Sequence, residues 1–330
     1  MRSPEPTSAT DAVGVSPTWS IAQVERETGL GKDTLRVWER RYGFPQPLRD
    51  AQDERAYPDE QLVRLRMIKR LMDVGYRPGK VVPLPLERLQ ALLEQSNADD
   101  SADPTKSGQG ESDPMDALVT TWVEWLAQDQ MAPIRQSLQQ HILRHGLGTV
   151  VDRLVAPLCG RVGMAWMRGD ITVYQEHLMT EILQSVLREA MASVDASSQG
   201  LQQRPRILLT TTPQELHGLG LLMAECHFAL ESCERFVLGT STPVADIALA
   251  VRQLEIDILA LSFSAYTARK DMLDSLHQLL EQLPPTVSVW VGGTAASAHE
   301  RALPEGVMLM RRAGDVPVGV AAWRARQAAA

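Results

Sequence analysis

The stretch Glu-Leu-His-Gly-Leu-Gly, residues 215 to 220, sets an imidazole, His217, two residues after a carboxylate, Glu215, and just ahead of two glycines, Gly218 and Gly220. A carboxylate that accepts one imidazole N–H fixes the tautomer and makes the other nitrogen a better metal ligand. Glycines, lacking Cβ, let a large flat ligand approach the backbone. The same stretch also reads as an ordinary polar turn between a strand and a helix. Two later stretches hold residues of use to such a ligand. In LSFS (261 to 264), Ser262 or Ser264 can hydrogen-bond a buried group. In VGGT (291 to 294), Gly292 and Gly293 leave room for a group slid between strand and helix. Upstream, Trp166 precedes Glu176 and His177 by ten and eleven residues. By itself that spacing reads as a core tryptophan and a charged pair on the next helix. The remaining histidines (His141, His145, His227, His277 and His299) have no partners at metal-ligand spacing and read as structural or surface residues.

A different chemistry occupies the N-terminal quarter. WSIAQVERETGLGKDTLRVWERRYGFP reads as helix, four-residue turn, helix, with Ile21, Val24 and Leu30 packing on Leu35 and on Val37 or Trp38. The second helix carries Lys32, Thr34, Arg36, Arg40 and Arg41, whose long cations suit phosphates and base edges. Gly31 is a tolerated cap for it. A proline-broken loop with Arg49, Arg55 and Tyr57 can lie along a nucleic-acid backbone as a wing, followed by a helix from Asp59 to Val74. From Thr18 to Lys80 there are 13 Lys and Arg against 10 Asp and Glu, whereas the rest of the chain carries 20 against 31. A basic module on an acidic body is expected when one end meets a polyanion.

These residues must be positioned by several domains, since 330 residues exceed one ordinary core. With 44% hydrophobic and 22% charged residues the chain has the composition of a globular protein. No apolar run is long enough to span a membrane, the N-terminus lacks the apolar core of a secretory signal, and three cysteines show neither zinc spacing nor an even framework. A cytoplasmic protein with reduced thiols is the expectation. Residues 1–17 read as a disordered tail, 18–95 as a winged helix-turn-helix, and 96–113, without large apolar residues, as a flexible linker. Residues 114–196 show helical periodicity with breaks near Asp129–Pro133, His145–Gly148 and Gly169–Thr172, which suits a four-helix bundle. In residues 205–330, RILLTTT, RFVLGT, IDILALSF, VSVWVGG and VMLMRR alternate with helices, which implies a doubly wound parallel sheet of flavodoxin type. His217, Ser262, Ser264 and the Gly292–Gly293 pair then all fall at carboxyl ends of strands, where such sheets bind ligands.

TLRVWERRYGFPQP and ERAYPDEQLVRLRMIKRLMDVGY resemble the DNA-binding domain of MerR-type regulators, and WERRYG is typical of the subgroup near the CarH and LitR light-responsive repressors. The resemblance covers residues 18 to 80. It implies that Arg36 and Tyr57 hold phosphates, that Thr34, Arg40 and Arg55 lie close to DNA, and that the module binds paired half-sites as a dimer. The acidic wing, with Asp50, Asp53 and Glu54, departs from the pattern and weakens nonspecific attraction. His217, Ser262 and the Gly-Gly pair, in that order, resemble the cobalamin-binding domain of methionine synthase and its relatives over residues 205 to 325. Glu215 stands for the family's Asp, and Ser264 for its Leu. The resemblance implies that His217 is the lower cobalt ligand. Trp, nine intervening residues, then Glu-His is similar to the cap motif of adenosylcobalamin-dependent CarH-type photoreceptors. It implies that Trp166 covers the adenosyl group, with Glu176 and His177 lining the pocket. Where the best-known members place a His that takes cobalt after illumination, this chain has Met167, a poor ligand for oxidised cobalt. Either His177 or water then takes that position, or the illuminated state differs, or light is not the signal.

The expectation is a repressor, not an enzyme, that binds double-stranded operator DNA as a dimer or tetramer assembled by adenosylcobalamin and released by light. A corrinoid methyl-transfer protein is a second reading, opposed by the absence of a catalytic domain and by the DNA-binding head. A MerR-type regulator whose cobalamin fold serves dimerisation or protein binding is the third.

Overall fold

The computed structural model describes residues 18–50, 52–73, 76–100, 114–197 and 203–329. The expected tail over 1–17 lies outside the described residues, as does most of the expected linker. The head begins with β1 (Thr18–Ser20), not with a helix. Ser20 caps α1 (Ile21–Thr28) through a reciprocal pair with Gln23, so the first helical turn starts after the tryptophan. Gly29, at φ 67, ends α1, and Gly31 opens α2 (Lys32–Tyr42) without a side-chain cap. β2 (Leu48–Arg49) and β3 (Arg55–Pro58) make the wing, with β3 paired antiparallel between β1 and β2. Then come α3 (Asp59–Asp73), the single turn α4 (Pro78–Val81) and α5 (Leu86–Asp100). α5 runs through the first residues of the expected linker, because Leu86, Leu89, Leu92 and Leu93 repeat at helical spacing and pack on the head core. Val24, Leu30, Leu35, Trp38, Leu65 and Ile68 fill that core. Trp38 faces inward, whereas Val37 is 43% exposed.

Four helical segments form the bundle: α6 (Pro114–Ala127), α7 (Met131–His145), a third segment, and α10 (Val173–Ser197). The third is composite, α8 (Leu147–Val150) passing through a π turn (Val151–Val155) into α9 (Ala156–Arg168). Trp122, Ile134, Leu138, Leu154, Leu158 and Leu183 meet along its axis.

The last third is a five-stranded parallel sheet. In chain order it comprises β4 (Gln203–Thr210), α11 (Leu219–Leu230), β5 (Cys233–Gly239), α12 (Val244–Gln253), β6 (Ile258–Ser262), α13 (Arg269–Gln282), β7 (Ser288–Gly292), α14 (Thr294–Ala298), β8 (Val307–Met310) and α15 (Val316–Ala328). The spatial order β5-β4-β6-β7-β8 is the flavodoxin-like arrangement, with its change of direction between β4 and β6. Leu208, Leu259, Leu261 and Val289 pack one face against α12 and α13. Ile207, Leu209, Ala260 and Trp290 pack the other against α11 and α15. α11 is apolar on two sides for a reason: Leu221 and Phe228 face the sheet, while Leu222, Cys226 and Ala229 complete the bundle core. Bundle and sheet are therefore joined through one shared helix. No described helix is long and apolar enough to cross a membrane.

Candidate functional site

At the carboxyl end of β4 the chain turns through Thr210, Thr211 and Thr212, all buried. The Thr211 hydroxyl donates to the Glu215 carbonyl at 2.6 Å and accepts from the Ser241 amide at 2.8 Å, tying this loop to the one after β5. The turn drives the Glu215 side chain inward, leaving the residue 2% exposed. Its carboxylate accepts from the His217 amide (2.8 Å), from His217 Nδ1 (2.7 Å), from the Ser264 amide beyond β6 (2.7 Å) and from the Thr267 hydroxyl. Burial works to raise the Glu215 pKa, but the hydrogen bonds from His217, Thr267 and Ser264 outweigh it and hold the carboxyl at about 2. An ionised acceptor requires that Nδ1 carry the imidazole proton, so the lone pair sits on Nε2. The His217 side chain is 54% exposed. Its ring stacks on Tyr266, centroids 4.8 Å apart and planes 18° apart, and the Ser264 hydroxyl lies 3.1 Å from Nδ1.

Residues from three loops thus meet at the point where strand order reverses. Sequence spacing indicated Glu215, His217 and Ser264 but missed Tyr266, Thr267 and Thr211. SAYT, the polar break directly after the third strand, was the available signal for the first two.

The glycines stand at close approaches of the chain to itself. A Cβ on Gly220 would lie 2.5 Å from the Ser262 hydroxyl, and Ser262 is 6% exposed. At Gly293, where φ is +95°, a Cβ would overlap the Phe263 carbonyl. Both residues let segments of this chain close on one another: α11 on β6, and the turn after β7 on the turn after β6. Gly218 likewise faces the Thr240 methyl, and Gly292 the Met310 carbonyl, each at 3.3 Å.

On the bundle, Trp166 near the end of α9 is half-buried and packs against both the bundle core and the head core. Glu176, in the first turn of α10, accepts from His177 Nδ1 (2.7 Å) and Thr180 (3.0 Å). Glu176 also faces α9. Burial chiefly, with the Glu176 charge added, pushes the Cys159 thiol up to about 12. His177 itself is 72% exposed. No hydrogen bond joins Trp166, Glu176 or His177 to the His217 loop among the described residues. Large apolar side chains stand exposed beside both groups: Leu216 and Tyr266 at the sheet rim, Tyr174 and Leu178 on α10.

In the head, Arg36, Arg40 and Arg41 project from α2 into solvent, with Thr34 half-buried. Arg36 pairs with Asp33 at 3.1 Å, and Arg41 lies over the Tyr42 ring at 5.3 Å. Arg55 does not stand free. It donates to Glu39 at 3.0 Å, a bond that raises its pKa. Tyr57 is 0% exposed, which departs from an open phosphate contact, because β3 is the central strand of the small sheet and places the ring in the core. Its hydroxyl has no hydrogen-bond partner. Burial raises its pKa, against the nearby charges of Arg55, Arg36 and Arg49.

Residues 19–83 match the MerR HTH family of regulatory proteins, and residues 130–190 and 205–319 each match a B12 binding domain. The chain is 30% identical to the HTH-type transcriptional repressor CarH of Myxococcus xanthus, a match covering 86% of this chain and 91% of that protein. The chain belongs to the CarH family of MerR-type repressors with B12-binding domains. The HTH-type transcriptional repressor CarA of the same organism is 26% identical over 87% of this chain and 90% of its own length. Among solved structures, a monomethylamine corrinoid protein of Methanosarcina barkeri aligns with 13% identity and a TM-score of 0.47, covering 61% of this chain and 95% of that one.

As a CarH-family member the protein is a cobalamin-binding, DNA-binding transcriptional repressor, and its curated relatives are regulators rather than methyl-transfer enzymes. The residues at the sheet rim fit the cofactor. They offer one half-exposed imidazole whose Nδ1 is taken by an ionised carboxylate, with the exposed side chains of Leu216 and Tyr266 beside it. In this CarH-family chain Met167 is 4% exposed and buried in the head core, so the thioether is turned away from the bundle face that carries Glu176 and His177.

Proposed function

We propose that the protein is an adenosylcobalamin-dependent, light-responsive repressor that binds tandem operator sites as an oligomer. Bound adenosylcobalamin would supply a cobalt–carbon bond that visible light breaks. His217 Nε2 would hold the cobalt in this reading, with Nδ1 held by Glu215 and Tyr266 fixing the imidazole plane by stacking. Trp166, with Glu176 and His177, would line the bundle side of the cofactor. Arg36, Arg40 and Arg41 meet the DNA, with Arg49 and the wing along the backbone, while the buried Tyr57 ring holds the wing strand on the head core. The observation that carries the reading is the ionised Glu215 carboxylate gripping Nδ1, which leaves Nε2 as the only ring nitrogen able to bind metal. That pair also favours a working site over a fold retained for dimerisation alone, since a vestigial loop has no need to bury and quench a carboxylate. The test is a titration with adenosylcobalamin in darkness. The wild type is expected to give the absorption spectrum of an imidazole-ligated corrinoid, and His217→Ala to lose it. An unchanged spectrum in that variant would remove the assignment.

A further inference from the structure

Helix α3 belongs to the DNA-binding head, yet it touches both walls of the cofactor site. The Arg66 guanidinium lies 4.4 Å from the centre of the Trp166 ring. Arg70, one helical turn later, lies 5.6 Å from the centre of the Tyr266 ring, which is itself stacked on His217. Arg66 is only 7% exposed. Glu27 of α1 takes one end of it at 3.2 Å, and its Nε has no hydrogen-bond partner. Burying a guanidinium is costly unless something compensates. Two cations spaced i, i+4 on a helix also repel each other. Setting both over aromatic rings of other domains is not what a solvated helix face does; for buried Arg66 the cation–π contact with Trp166 adds to the Glu27 ion pair as compensation.

A second observation agrees. Met167, the residue after Trp166, is buried among head residues rather than bundle residues. α5 of the head also reaches α14, behind the Gly292–Gly293 turn. The docked face is thus built from α3 and α5, and the recognition helix α2 keeps Arg36, Arg40 and Arg41 in solvent.

We propose that α3 is the coupling element of the protein: Arg66 on Trp166 and Arg70 on Tyr266 clamp the head to the cap and the sheet rim together, so that the spacing of those two walls sets the orientation of the recognition helix. Packed interfaces of this kind shift between discrete arrangements rather than deforming continuously. The position after Trp166 then holds a methionine because it anchors the head. The coupling rests on reading Trp166 and His217 as the upper and lower walls of the cofactor site; the docking does not.

The full chain tests it from both sides of the interface. Met167→Asp puts a charge into the contact from the bundle side, leaving the residues of the head intact. Arg66→Met with Glu27→Gln removes the cation without stranding a buried carboxylate. Small-angle scattering without cofactor is expected to give a larger radius of gyration for both than for the wild type. DNA affinity measured with and without adenosylcobalamin in darkness is expected to differ strongly in the wild type and clearly less in Met167→Asp, which still binds the cofactor. Wild-type dimensions in Met167→Asp, or a full cofactor effect on its DNA affinity, would overturn the proposal. A wild type whose DNA affinity ignores the cofactor would overturn the repressor reading and the coupling, while the scattering would still decide whether α3 holds the head. If the double variant fails to fold, Met167→Asp alone decides.

Discussion

Glu215 is a buried carboxylate that stays ionised because four donors converge on it. Replacing it with Gln keeps the volume but presents an amide where Nδ1–H needs an anionic acceptor, so the imidazole loses both its fixed tautomer and its basicity. Glu215→Gln is expected to weaken cobalamin binding by roughly 10- to 100-fold, read by absorbance titration. The same carboxylate gives a pH signature. Its folded pKa of about 2 lies below the ordinary 4.5, so its stabilisation is fully present above pH 4.5 and is lost as the pH falls towards 2. Thermal unfolding of the cofactor-free chain over that window should show a loss on the order of 3 kcal/mol that is missing in Glu215→Gln; parallel curves would refute it. In the head, Arg40 is exposed on α2. If it meets a phosphate, Arg40→Ala lowers the slope of log affinity against log salt by about 1, whereas an unchanged slope removes it from the contact. The Glu215–His217 pairing was legible because two residues across a tight turn can reach one another. Thr267 and Tyr266 were not, since they come to Glu215 and His217 from a loop some fifty residues away.

At the scale of elements, periodicity and turn chemistry located most of the secondary structure, and the departures have local causes. β1 replaces an expected helical turn because Trp19 and Ser20 pair with β3 and Ser20 then caps α1. α5 extends past the expected linker boundary because its leucines have a core to pack on. The glycine pairs read from the sequence as space for a ligand also stand at close approaches of the chain to itself, which only the packed backbone reveals. Gly293 is the sharpest case: a side chain there meets both an unfavourable φ and the Phe263 carbonyl. Gly293→Ala is expected to lower stability by about 2 kcal/mol or more in denaturant unfolding. A change under about 0.5 kcal/mol would mean that the β6–β7 edge relaxes freely.

Assembly belongs to the whole molecule. A head with a handful of exposed cations and an acidic wing has limited affinity alone, so linking several heads raises avidity without new contacts, by two orders of magnitude or more for matched spacing. Gel filtration in darkness is expected to show a larger species on adding adenosylcobalamin and its return to a smaller one after illumination. A single elution volume throughout would leave light and oligomerisation without a role here.

The amino-acid sequence alone determined the three-part architecture, the parallel sheet and the rim on which His217 sits, because hydrophobic period, strand–helix alternation and turn residues are local and repeat along the chain. It also marked the imidazole and its carboxylate, which are near neighbours in the chain. Only the tertiary structure decided that α11 serves two cores, that Tyr57 is buried, that Met167 belongs to the head, and that Arg66 lies over Trp166 and Arg70 over Tyr266. Those are contacts between segments far apart in the chain, and the free energy of burying a guanidinium or a thioether depends on what another domain brings to it.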